Sequence, residues 1–262
     1  MEFEALEYEV RDGVAHLTFA REAAANSLNL RLCEELREAA LACHRDPAVR
    51  AILLKARGRM FCSGGDLPSF AAAGDDAPSL IRRMTVHLHA AVSLLARTDA
   101  PVVAAVQGAA AGAGMSLVCA CDLVVAGESA RFAMAYTKAG LSPDGSGTWV
   151  LPRLVGRQRA LELMLTNRML SAQEALDWGI VTRVVPDAEV EASARKLAAE
   201  LAAGPTRAYG LVKRLVLSSA SESLETQMEL EAAGIADSAA SADGREGIAA
   251  FLGKRAPKFR GD

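Results

Sequence analysis

Phe61-Cys62-Ser63-Gly64-Gly65-Asp66-Leu67 and Gly108-Ala109-Ala110-Ala111-Gly112-Ala113-Gly114 are two glycine-rich turns, and their reading decides the fold. Each follows a short apolar run, Val49 to Ala56 and Val102 to Val106, that reads as a buried strand. The second leads into a helix of small residues; the first bends the chain before Asp66. Glycine lets backbone N–H groups face a ligand, because no side chain stands in the way. Two such turns can supply two N–H donors to one oxygen. That is the geometry of an oxyanion hole, and it points to chemistry on an acyl group.

The chain opens with a hairpin pattern, Leu6 to Val10 and Val14 to Phe19 about Arg11-Asp12-Gly13. A loop at Ala23-Ala24-Ala25-Asn26-Ser27 precedes a helix over 28–43, where Leu28, Leu32, Leu36 and Ala39 recur at helical spacing. Residues 71–78, rich in Ala, Gly and Asp, read as a mobile loop. The next helix, 79–97, carries Leu80, Met84, Leu88 and Leu95 on or near one apolar stripe. Strands are expected over 102–107, 122–125, 131–134 and 181–185, and helices over 112–120, 145–155 and 157–165. From Glu189 to Gly253 the pattern is almost entirely helical. The expected class is α/β, with a mixed core over 1–188 and a helical region over 189–262 that packs on the core or on another subunit.

With 262 residues, 51% of them hydrophobic, the chain has enough apolar surface for a sizeable core. A net charge of −3 gives no sign of a nucleic-acid surface. Lys254, Arg255, Lys258 and Arg260 form a basic cluster that reads as a solvated face or as a partner for phosphate. Cysteines 33, 43, 62, 119 and 121 show no metal or redox spacing, and their odd number fits reduced thiols in a cytoplasm. The start, Met1-Glu2-Phe3-Glu4, lacks an apolar signal core, and no run is long enough to span a bilayer. A soluble cytoplasmic protein without a metal is expected.

With both turns in place, the chain resembles the crotonase (enoyl-CoA hydratase/isomerase) superfamily almost end to end. The resemblance is carried by Asn26-Ser27-Leu28, the stretch 61–67, Gly108 to Gly114, Cys121-Asp122-Leu123, Leu151 to Gly156, Ala175 to Val181, Arg245 to Phe251, and Lys254-Arg255. Their order and spacing make it specific. It implies a spiral of ββα turns with a helical C-terminal trimerisation region, assembled as a homotrimer or a dimer of trimers. It implies an acyl-CoA substrate that brings its own coenzyme A, so no separate cofactor. By position, the oxyanion donors would be the N–H groups of Gly65 and Ala113. Ala24, Ala25, Ser27 and Leu28 would line the CoA path, with Ser63, Gly64, Asp66, Leu67 and Gly112 from the two turns completing the substrate site. Phe251 and Lys254 match positions that reach CoA, sometimes from a neighbouring subunit.

Hydratases of this family use two glutamates, at positions held here by Ser116 and Tyr136, so the pair that deprotonates water is missing. A carboxylate does occur at Asp144, after Ser142-Pro143, where it reads either as a helix N-cap or as a base. Ala135 to Arg153 is similar to the enoyl-CoA isomerases that carry their base at this aspartate. Asp144 would then remove the C2 proton of a 3-enoyl-CoA and return a proton to C4. Hydrolytic aryl-CoA dehalogenases place Asp at the same position, an aromatic residue at Tyr136 and a histidine near His89. A hydratase with atypical acid/base residues and a non-catalytic acyl-CoA-binding protein complete the alternatives.

Overall fold

A computed structural model describes residues 3–262; Met1 and Glu2, the first half of the acidic start, lie outside the described residues. The hairpin forms as β1 (Leu6–Arg11) and β2 (Val14–Phe19), with Leu6 opposite Phe19 and Arg11 opposite Val14. Helix α1 (Leu30–Arg45) begins after Asn29, whose side chain accepts a hydrogen bond from the Leu32 N–H, so Leu28 stays outside the helix. Then follow β3 (Ala51–Ala56), α2 (Leu67–Ala73), α3 (Ala77–Arg97), β4 (Val102–Val106), β5 (Ala109–Ala111) and α4 (Ala113–Cys119). Strands β6 (Leu123–Gly127) and β7 (Arg131–Ala133) lead to α5 (Gly147–Val155) and α6 (Arg157–Thr166). After β8 (Leu170–Ser171), α7 (Ala172–Asp177) and β9 (Arg183–Val185), the chain is helical: α8 (Val190–Ala202), α9 (Thr206–Ser218), α10 (Leu224–Ala240) and α11 (Ala242–Leu252).

The strands form a six-stranded sheet in the order β1-β2-β3-β4-β6-β9 and a three-stranded sheet in the order β5-β7-β8. Successive units repeat one path: β4 enters the large sheet, β5 the small one, and α4 follows; β6 and β7 do the same one turn later. The first unit is abbreviated, with β3 in the large sheet and a single parallel bridge between Cys62 and Ala110 in place of a second strand.

The central strands are covered on both faces, which is why they read as unbroken apolar runs. Ile52, Leu54, Val102, Ala104 and Val106 join the main core beneath α1 and α3, while Ala51, Leu53, Val103 and Ala105 face the other way, against α8. An isolated helix of this length is marginal in water. Burying Val190 and Leu197 contributes roughly 3–6 kcal/mol, so packing on the sheet is what holds α8. A division of the chain at residue 188 therefore cuts through a packed interface, and α8 belongs physically to the core layer.

The stretch 71–78 is not a loop. Asp66 caps α2, Pro68 lies in its first turn, and after one 3-10 turn at Gly74–Asp76 Pro78 sits in the first turn of α3. Each proline fixes a helical φ where its missing N–H costs nothing. Helix α7 has a signal readable in the sequence: Ser171 and Glu174 form a capping box.

Asp66 also ties the first glycine turn to the loop before α1. Its carboxylate accepts from Arg21 Nη2 at 2.7 Å, Ser27 Oγ at 3.0 Å and the Ser69 N–H at 3.1 Å. Asn26 pins the same loop from the other side, accepting from the Arg21 N–H and donating to the carbonyls of Arg57 and Met60. Burial pushes the Asp66 carboxyl up, but the bonds from Arg21, Ser69 and Ser27 outweigh it and hold it below the ordinary 3.8. A depressed carboxylate stabilises the fold fully above its unfolded value and loses that contribution as pH falls through the folded one. Asp66→Asn is expected to lower unfolding free energy in urea at neutral pH by roughly 1.5–3 kcal/mol. The same substitution should flatten the decline in stability that wild type shows below about pH 4.

Candidate active site

The two glycine turns are hydrogen-bonded to each other. The Cys62 N–H donates to the Ala109 carbonyl at 3.2 Å, and the Ala111 N–H to the Cys62 carbonyl at 2.9 Å. Contact this close needs glycine at two points. A Cβ on Gly114 would lie 2.5 Å from the Cys62 carbonyl oxygen, and one on Gly64, where φ is +101°, would lie 2.9 Å from that of Ala111. On its other side the first turn is laced to the 24–28 loop. The Ser63 N–H donates to Ala25, that of Leu28 to Gly64, and that of Asp66 to Leu28.

Beside the joined turns lies a cavity of about 490 Å³, within the usual range for a small-molecule site. Leu28, Leu67, Phe70, Ile81, Met84 and Leu88 give it an apolar wall, and Gly65, Ala113, Tyr136 and Asp144 also line it. Among the described residues, the Gly65 and Ala113 N–H groups donate to no protein acceptor. They are available to a ligand oxygen.

Among the described residues, Asp144 is the one carboxylate lining this cavity. It is not an N-cap. Ser146 holds that position before α5, with φ +69° and no side-chain capping bond. The Asp144 carboxylate instead accepts from the Tyr136 hydroxyl, Oη to Oδ1 2.7 Å, and that hydroxyl lies 2.9 Å from Ser116 Oγ. Burial and then the nearby Asp144 carboxylate push the Tyr136 phenol well above its ordinary value, so it stays protonated and donates. Ala135 and Ser146, both non-glycine residues with positive φ, flank this group. Each costs about 1 kcal/mol of backbone strain, which the surrounding packing holds in place.

Of the residues read from the sequence, Leu28, Ser63, Gly64, Gly65, Leu67, Gly112, Ala113, Tyr136 and Asp144 meet at the cavity. Several others do not line it. Asp66 spends its carboxylate on the loop clamp, and buried Ser116 backs Tyr136 from behind. Ala24, Ala25 and Ser27 lie in the loop laced beside it. Exposed Phe251 and Lys254 sit at the end of α11 and just beyond. His89 does not line that cavity but borders a second one of about 1260 Å³ between α3, α5 and α9, which Asp144 also lines, and its Nε2 accepts from the Gly145 N–H at 3.2 Å. That bond occupies the lone pair a general base would need.

Met84 and Leu88 belong to the helical stripe visible in the sequence, which signals a buried face but not that the face borders a cavity. Cys33, Phe70 and Ser142 line it with no sequence signal. Burial pushes the Cys33 and Cys62 thiols up to about 12, so neither offers a thiolate at neutral pH. Among the described residues no group of three or more His, Cys, Asp or Glu side chains is placed to hold a metal, and no helix is long and apolar enough to cross a membrane.

The family model described as enoyl-CoA hydratase/isomerase matches residues 9–262. The sequence is 41% identical over 253 residues to 1,2-epoxyphenylacetyl-CoA isomerase of Escherichia coli, covering 96% of this chain and 97% of that protein. It is 36% identical over 247 residues to 4-chlorobenzoyl coenzyme A dehalogenase-2 of Arthrobacter sp., covering 94% of this chain and 90% of that protein. The fold superposes on the crystal structure of an enoyl-CoA hydratase from Polaromonas with a TM-score of 0.94 at 35% identity, covering 98% of this chain and 100% of that one. Paired glycine turns, a mixed α/β core, a helical C-terminal region and similarity along nearly the whole length agree: the chain belongs to the enoyl-CoA hydratase/isomerase family and has the crotonase fold.

Proposed function

We propose that the protein is an acyl-CoA isomerase that shifts the double bond of a 3-enoyl-CoA into conjugation as the 2-enoyl-CoA. One observation carries the proposal: a single carboxylate, Asp144, shares an apolar cavity with two unpartnered backbone donors. The thioester oxygen accepts from the Gly65 and Ala113 N–H groups, which makes the C2 proton more acidic because the enolate oxygen is stabilised as charge develops. Asp144 takes the C2 proton, and the C–H pair forms a C1–C2 double bond as the carbonyl π pair moves to oxygen; when the carbonyl re-forms, the C1–C2 pair moves to C2–C3 and the C3–C4 π pair takes the proton that Asp144 returns to C4. Atoms and charge balance without a co-reactant, and coenzyme A enters only as part of the substrate. Ser116 and Tyr136 replace the paired carboxylates that hydration needs, and the Escherichia coli relative is named as an isomerase of a CoA ester, there an epoxide.

Hydrolytic dehalogenation has the Arthrobacter relative in its favour. It would need His89 as base, yet the His89 Nε2 lone pair accepts from the Gly145 N–H. Isomerisation is the better supported reading. The exposed apolar residues Leu224, Met228, Ile235, Ile248, Phe251 and Leu252 on α10 and α11 support assembly as a homotrimer or dimer of trimers, in which Phe251 and Lys254 would serve a neighbour's CoA. Five unpaired cysteines fit a cytoplasmic setting.

Asp144→Asn is expected to lower 3-enoyl-CoA turnover, followed by the absorbance of the conjugated thioester, about 10³-fold. Calorimetric binding of a CoA ester to the variant should survive; persistent turnover would remove Asp144 as the base, and a wild-type protein that binds CoA esters but turns over no acyl group would favour a non-catalytic protein. Ala113→Pro deletes one oxyanion donor at the first residue of α4, where proline suits the helix. Its kcat should fall roughly 10²–10³-fold with the circular dichroism spectrum unchanged.

A further inference from the structure

We infer that Tyr136 is a positioning residue that holds Asp144 in its reactive orientation, and that Ser116 orients the Tyr136 hydroxyl from behind. The inference rests on the isomerase proposal and assigns work to the two positions where that chemistry needs no second carboxylate. A tyrosine hydroxyl has one proton to give, and here it goes to Asp144 Oδ1 at 2.7 Å. The Ser116 hydroxyl, 2.9 Å away, is then the donor to the tyrosine oxygen. The result is a chain, Ser116 to Tyr136 to Asp144, in which each bond polarises the next.

Ser116 has no exposure to solvent, and the α5 entry closes over it. A Cβ on Gly147 would lie 2.5 Å from Ser116 Oγ, so only a glycine leaves room for the hydroxyl there. Backbone bonds from the Tyr136 N–H to Met134, and from the N–H groups of Ala139 and Leu141 to Tyr136, fix the residue that carries the ring. Among the described residues Asp144 Oδ2 has no protein partner. One carboxylate oxygen is held and the other is left for the substrate proton. The same arrangement disfavours hydration, because a protonated phenol and a serine cannot act together as base for water.

Tyr136→Phe should lower kcat about tenfold with little change in KM, because the lost bond orients the base rather than the thioester. Ser116→Ala, which leaves the ring in place, should give a smaller loss of kcat, again with little change in KM, and covers the case in which Tyr136→Phe folds poorly. Without substrate, proton NMR should show a downfield hydroxyl resonance that vanishes in Tyr136→Phe and moves in Asp144→Asn. A Tyr136→Phe enzyme with wild-type kcat overturns the inference. Turnover that survives Asp144→Asn instead removes Asp144 as the base and overturns the proposed isomerase mechanism; a hydroxyl resonance unmoved by Asp144→Asn overturns the pairing itself.

Discussion

Backbone hydrogen bonds between the two glycine turns are the constraint on which the site depends. Cys62 and Ala110 pair as a bridge, and Gly114 lies close enough to the Cys62 carbonyl that no side chain fits between them. This lock joins two units of the spiral separated by nearly fifty residues of chain. It sets Gly65 and Ala113 on the same cavity with both N–H groups unpartnered. Preorganisation is the energetic point: donors held by a rigid backbone need no rearrangement when charge develops on an oxygen. The Arg21–Ser27–Asp66 clamp and the buried Asn26 stiffen the first turn from the side of the preceding loop.

Opposite the donors the chemistry is set by side chains from two other segments. Tyr136 follows β7, and Asp144 comes eight residues later on a turn fixed by Pro143 and closed by Ser146. Strained backbone at Ala135 and Ser146 brackets the pair, and strain of this kind persists only where packing over-determines it. His89, which sequence resemblance offered as a hydrolytic base, instead braces Gly145 immediately after Asp144. The family's scaffold is thereby kept while the groups facing the acyl chain differ from a hydratase's pair. This is how one fold carries several reactions.

The scaffold was largely legible because its signals are local. Apolar runs such as Ile52 to Leu54 report burial on two faces, the turn at Asp12-Gly13 reports a hairpin, and glycines at 64, 65, 112 and 114 report backbone exposed to a partner. Errors arose where a local rule met an unread one. The Ala- and Asp-rich stretch 71–78 looked like a loop by composition, but Pro68 and Pro78 each start a helix there. For helix α8 the choice between the core and another subunit stayed open, because periodicity tells that a face is apolar, not what covers it; the large sheet does.

By itself, then, the sequence determined the alternation of strands and helices and the two glycine turns, since these depend on residue type and spacing along the chain, while the spiral and the missing glutamate pair at Ser116 and Tyr136 came from the resemblance those motifs carry. Only the tertiary structure decided which way the polar side chains point. It turned Asp66 away from the cavity into a clamp, took Asp144 off the helix cap and gave its Oδ1 to Tyr136, and bound His89 to a backbone N–H. Side-chain direction at those positions follows from contacts between segments twenty to sixty residues apart. Such contacts form only when the sheets, α3 and α4 have packed, so no pattern along the chain encodes them directly.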